Sequence, residues 1–237
     1  MFKYNKPVCR EERDTGRLPG RQSGFTLVEL AIVLVIIGLI LAAVLKGQEM
    51  ITNAKVKNVV NDLKGVSTAY YSYQDRYKAV PGDDANAANH FTGGQNGGGD
   101  GLITGLFNAT TSPLTTATES QNFWQHTRLA GFTTGVATAT TALPPNTSMG
   151  TGILGIQGGA TGTEVYGMIG TFACASNIPW KIALAVDTLM DDGNSDTGTV
   201  RAGAAGVTAT ATAVSGAYGT GAAAGTNDTL HTDCMKI

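Results

Sequence analysis

Residues 30–45 carry no charged or strongly polar side chain. Beyond them the pattern changes. Val56, Val59, Leu63, Val66, Tyr70, Tyr73 and Tyr77 recur at alternating steps of three and four, which lays one apolar stripe along a helix. Lys55, Lys57, Asn61, Asp62 and Lys64 fall mostly off that stripe. The two patterns predict one helix over residues 25–78, about 80 Å long at a rise of about 1.5 Å per residue. Its first part, residues 25–45, is apolar all round and covers roughly 30 Å, the thickness of a bilayer's hydrocarbon core. Its second part has a single apolar face and must bury that face on a domain. Pro81-Gly82 stops the helix, because the residue before a proline is pushed toward extended backbone. Gly47 and Gly65 are places where such a helix can bend.

Residues 79–237 then read as a globular head of common domain size. Glu119 to Leu129, ended by Gly131, has the pattern of a short helix with Phe123 and Trp124 facing inward. Residues 153–156 and 165–173 read as strands, the second with Val165, Met168, Ile169 and Phe172 as core. Residues 179–190 read as a helix with proline near the first turn and Asn177 as its candidate cap. Ile182, Leu184 and Val186 also alternate as a strand would. Asn96-Gly97-Gly98-Gly99-Asp100-Gly101 is a loop. Residues 133–152 and 203–227 are rich in Thr, Ala and Gly, and composition does not choose between exposed loop, sheet edge and glycan-bearing surface. The fold class is α+β: a long N-terminal helix packed on a small, loop-rich head that contains β-structure.

Charge gives the chain a direction. Residues 1–24 hold six basic and three acidic side chains, whereas the remainder holds 10 basic and 15 acidic. A basic flank stays cytoplasmic, so the segment after the apolar run is expected across the membrane. The mildly acidic exported part offers no basic surface for nucleic acid. Of the three cysteines, Cys9 lies on the leader side, while Cys174 and Cys234 fall in the exported part, where disulfides persist. If the segment holding Cys9 is cut away, the odd count becomes one pair, Cys174 with Cys234; two unpaired thiols are the alternative.

The stretch before the apolar run is unusual. A secretory signal has a short apolar core followed by a cleavage site of small residues, but here the run is longer and the distinctive residues precede it. Gly24-Phe25-Thr26-Leu27-Val28-Glu29 resembles the processing site of type IV pilins and of the related pseudopilins of type II secretion. The resemblance implies that a prepilin peptidase cuts between Gly24 and Phe25 and that Phe25 becomes an N-methylated terminus. Residues 1–24 would be a leader peptide, removed. Residues 25–78 would be the mature helix, with residues 25–45 in the membrane, and residues 79–237 an extracytoplasmic head. The leader is longer than most attached to such a site, and the membrane helix lacks the proline many pilins carry. Glu29 is the one ionisable residue of residues 25–45, and a buried carboxylate needs a partner. The resemblance supplies one: the new ammonium of Phe25 on a neighbouring subunit, a contact that registers an incoming subunit on a growing filament. The resemblance extends over Tyr77-Lys78-Ala79-Val80-Pro81-Gly82-Asp83-Asp84, Asn122-Phe123-Trp124-Gln125-His126 and Leu129-Ala130-Gly131-Phe132.

The function implied is structural: a subunit of a type IV pilus-like filament, a homo-oligomer built by pilus or secretion assembly machinery. Such a subunit is an inner-membrane precursor in lipid, later part of an extracellular or periplasmic filament. A pseudopilin of a secretion system and a membrane-anchored binding domain that never polymerises are the alternatives. Catalysis finds no support: His90, His126 and His231 lack metal-ligand spacing, and no serine sits in a nucleophile context. No cofactor is required. Asp192, Asn194 and Asp196 place oxygens at alternate positions, as in the first half of a calcium loop, but Thr197 and Gly203 stand where that loop has its turn glycine and bidentate carboxylate. A polar turn after a helix is the alternative to a Ca²⁺ site there.

Overall fold

The computed structural model describes residues 24–109, 118–138, 142–150, 152–161, 163–204, 218 and 230–237. The expected leader up to residue 23, with Cys9, lies outside them, as do most of residues 203–227 and part of residues 133–152. By its contacts the chain divides into two units, residues 1–47 and residues 48–237.

Helix α1 runs over Leu27–Tyr77, within two residues of the bounds predicted. In the first unit it is apolar and long enough to cross a membrane, and that stretch is not buried by the chain. In the second unit α1 buries Val56, Val59, Val60, Leu63, Val66, Ala69, Tyr70 and Tyr73. Val60 and Ala69 widen the predicted stripe by one position on either side of its line. Tyr77, at the end, is half-buried.

The head is α+β. Four strands, β1 (Leu154–Gly159), β2 (Gly170–Pro179), β3 (Val200–Ala204) and β4 (Leu230–Lys236), form an antiparallel sheet in the order β1-β2-β4-β3. Three shorter helices accompany it: α2 (Ala87–His90), α3 (Glu119–Leu129) and α4 (Trp180–Met190). Period-two alternation gives the sheet two faces. On one, Ala173, Ala175, Ala202 and Met235 join the α1 stripe and Ile182, Ala183 and Val186 of α4 in the main core. Leu154, Ile156, Ile178 and Val200 belong to the same core. On the other face Phe107, Val165, Tyr166, Met168 and Phe172 pack around Cys174 and Cys234. Those cysteines are direct cross-strand partners of β2 and β4 and form the expected disulfide. Linking positions 60 apart in sequence stabilises by about 4 kcal/mol if the gain is loop entropy.

Several expectations need correction. The second strand begins at Gly170, not 165: Val165 and Met168 close a tight turn through Tyr166 and Gly167, both at positive φ. Ile169, expected in the core, is exposed. Strand β1 continues past residue 156 through Gln157-Gly158-Gly159. A Cβ on Gly155 would lie 2.0 Å from the Phe107 carbonyl oxygen, so glycine admits the segment that covers this edge strand. The 179–190 segment is a helix, as preferred over a strand, but Asn177 is not its cap. Asn177 lies inside β2 at φ 57, and Pro179 holds the N-cap position with no side-chain cap bond. Strands β3 and β4 were not anticipated.

Leu63 is fully buried in the α1 stripe whereas Asn61 is exposed. Leu63→Ala is therefore expected to destabilise the head by about 2–5 kcal/mol, and Asn61→Ala by no more than about 0.5 kcal/mol. Thermal or urea unfolding of the detergent-solubilised protein measures both.

Candidate functional site

The predicted processing residues stand at the start of α1. Gly24, Phe25 and Thr26 precede the first helical residue, Leu27, and are exposed. Glu29 turns back onto Thr26. Its Oε2 accepts the Thr26 N–H at 2.8 Å and the Thr26 hydroxyl at 2.9 Å, while the Glu29 N–H donates to Thr26 Oγ at 3.2 Å. This is a reciprocal capping box: threonine before the helix, glutamate three residues on, each satisfying the other's free donor. The signal T-x-x-E was present in the sequence and was not used. Gly24 has no steric reason to be glycine: a Cβ there would meet nothing within 4 Å.

At the other end of α1 two of the three stretches quoted for the family resemblance, residues 77–84 and 122–126, come together with the glycine loop. Lys78 leaves the helix at φ 54. Gly82 follows at φ 97, where a Cβ would lie 2.4 Å from the Glu119 carbonyl oxygen, so only glycine fits. Its N–H donates to His126 Nδ1 at 2.9 Å, and the opposite ring nitrogen of His126 donates to the Gln95 carbonyl at 2.6 Å. These two bonds require a neutral ring with its proton on Nε2. Asp84, buried, accepts the Tyr73 hydroxyl at 2.7 Å and the Asn86 N–H at 2.8 Å, and lies 3.0 Å from His90 Nδ1. Loop residues 98–101 bend around two further carboxylates. Asp83 accepts the N–H groups of Gly99, Asp100 and Gly101, and Glu119 those of Gly98 and Thr104 together with the Thr104 hydroxyl. His90 thus lies against Asp84 and Tyr77, and His126 stacks on Tyr73.

Burial pushes the Asp83 carboxyl up, and the charge of Glu119 adds to that against the opposing N–H bonds. Glu119 is buried too, but the bonds from Thr104 and Gly98 hold its carboxyl below the usual range. His126 is fully buried, and burial lowers its pKa. α3 carries this seat because it is buried almost all round, with Gln121, Asn122, Gln125, His126 and Thr127 inside as well as Phe123 and Trp124.

Asp192 does not converge with Asp196. Its carboxylate accepts the Asn194 N–H at 2.9 Å and the Thr197 hydroxyl at 2.5 Å, closing the turn after α4. The carboxylates brought together there, among the described residues, are Asp187, Asp191 and Asp192.

The family model of the prokaryotic N-terminal methylation motif matches residues 19–45. Over these residues the chain is prepilin-like. The match covers the segment that holds Gly24, Phe25, the capping box and the exposed apolar part of α1, and it ends before the head begins. No curated protein and no solved structure matches the chain. The matched segment holds the methylation motif and the apolar start of α1, and the head is understood from its own geometry.

His126 must be neutral in the fold, whereas its unfolded counterpart takes a proton near the ordinary value of 6.5. Between its lowered native pKa and 6.5 the unfolded state binds more protons, so this residue's contribution falls as pH is lowered through that window. His126→Gln keeps an acceptor and a donor but does not titrate. Wild type should lose melting temperature relative to His126→Gln as pH falls from about 7.5 to about 5, and differential scanning calorimetry of both proteins across that range measures the difference.

Proposed function

We propose that this prepilin-like chain is a structural subunit of a type IV pilus-like filament. A prepilin peptidase cuts between Gly24 and Phe25 and the new terminus is methylated. Residues 25–45 hold the precursor in the inner membrane, and the same helix packs with its copies when assembly machinery extracts it into an extracellular or periplasmic filament. The observation that carries this is the exposure of the apolar part of α1 directly behind the methylation motif. A glycine at 24 that the fold does not require supports recognition by an enzyme. The Glu29 carboxylate serves the chain's own helix start and, in assembly, pairs with the Phe25 ammonium of a neighbouring copy.

The mature protein should begin at Phe25 and carry one extra methyl group, which intact-mass measurement reads directly. A mature chain beginning at Met1, or one that has lost residues 25–45, would overturn the proposal. Recovery as the main component of sheared surface filaments supports a pilus, and a periplasmic location with loss of protein export on deletion supports the pseudopilin alternative.

The capping box separates the two duties of Glu29. Glutamine satisfies a capping box as glutamate does, but carries no charge. Glu29→Gln should insert in the membrane normally and assemble to no more than about a tenth of wild-type yield, since unpairing a buried charge costs about 3–5 kcal/mol. Normal filament yield from Glu29→Gln, with poor yield from Glu29→Ala, would assign the residue to the cap alone.

A further inference from the structure

A groove runs between α1 and α4, and its volume is about 600 Å³. Val56 of α1 and Leu184, Ala185 and Leu189 of α4 give it an apolar lining. Val56 is buried, whereas Leu189 is 62% exposed. Met50 and Ile51, just before the groove on α1, are exposed as well. Each helix adds one cation to the lining, Lys57 from α1 and Lys181 from α4, and both are exposed. Among the described residues neither lysine pairs with a carboxylate. A space of this size, mostly apolar and with a small number of charged groups, has the make-up of a ligand site.

Charge and position together choose the ligand. Two like charges over an apolar lining repel one another and draw in an anion. An inorganic anion alone would leave Leu184 and Leu189 in water. A neutral apolar chain would leave the lysines unpaired. A ligand that answers both has an anionic head and an apolar tail. Position supplies such a molecule. Asn53, which also lines the groove, follows Leu45, the last residue of the apolar run, by eight positions on the same helix.

We propose that the groove between α1 and α4 binds an anionic phospholipid, its phosphate between Lys57 and Lys181 and an acyl chain against Val56, Leu184 and Leu189. The lipid is at hand because the chain is membrane-anchored, as proposed above, but its binding needs neither processing nor filament assembly. The bound lipid removes Leu184 and Leu189 from water and separates the two lysines by a negative charge. Each lysine beside anionic lipid should tighten binding about fivefold.

The test uses the full chain in nonionic detergent, with or without residues 1–24, and follows the methyl NMR signals of Val56, Leu184 and Leu189. Dioctanoyl phosphatidylglycerol should shift all three saturably. Dioctanoyl phosphatidylcholine, zwitterionic and of the same chain length, should need at least about tenfold more. Inorganic phosphate at the same concentrations should shift none of them. Lys57→Gln combined with Lys181→Gln should weaken the phosphatidylglycerol response by about tenfold or more. The double variant should keep the wild-type melting temperature, since both side chains are exposed. No saturable shift, an equal response to both lipids, a full response to phosphate alone, or a response that survives the double substitution would overturn the proposal. So would concentration-dependent broadening of the same signals without lipid, which would give the groove to a second copy of the chain. A mature chain lacking residues 25–45 would count against the filament while the titration still reads the groove, because every lining residue lies in residues 48–237.

Discussion

Residues 25–45 present apolar side chains on every side of α1 and the chain buries none of that span. Each Leu, Ile or Val left in water forgoes about 1.5–3 kcal/mol, so over such a run the cost exceeds the net stability of an ordinary domain. The segment needs an outside covering, and acyl chains or helices of the same kind both fit. Choosing between them is not a matter of hydrophobicity, because lipid is as apolar as leucine and helices in a bilayer gain nothing from it by associating. A transfer from lipid to a bundle must be driven by packing and polar contacts. Glu29 is the one charge available in the segment.

That gives the capping box more weight than it has at the surface of a soluble protein. The first N–H groups of a helix lack partners within it, and in a membrane water does not replace them. With Thr26 and Glu29 closing on each other, the helix start enters an apolar setting with some of its orphan donors already satisfied. In the assembly proposed above, one residue answers two demands, geometry within a chain and charge between chains.

Much of this was legible in the sequence. The three-and-four spacing fixed the α1 stripe, because a helix half buried on a sheet shows its period directly. The end of α3 was legible from Gly131 and the start of α4 from its proline, though not from Asn177. What escaped lies where polar side chains are buried among apolar ones. β4 reads Leu230-His231-Thr232-Asp233-Cys234-Met235-Lys236, with buried His231, Thr232 and Asp233 breaking the apolar alternation by which strands are found. α3 looked amphipathic, yet Gln121, Gln125 and His126 are as buried as Phe123. Motif resemblance marked residues 77–84 and 122–126 but not their meeting, which rests on contacts between positions more than 40 apart, such as Gly82 with His126. The disulfide was legible from compartment and count alone.

The head handles buried negative charge in two ways, and the contrast is informative. Near the exit of α1, Asp83 and Glu119 are each surrounded by backbone N–H groups from residues 98–104, and glycines let that backbone approach; a Cβ on Gly97 would lie 2.4 Å from Asp83 backbone atoms. Fixed dipoles there offset the charge of both carboxylates, although burial still pushes the Asp83 carboxyl up. At the far end of α4, Asp187 takes one hydroxyl and one long N–H contact. Among the described residues Asp233 takes none, so burial pushes the Asp233 carboxyl well up and favours its neutral form.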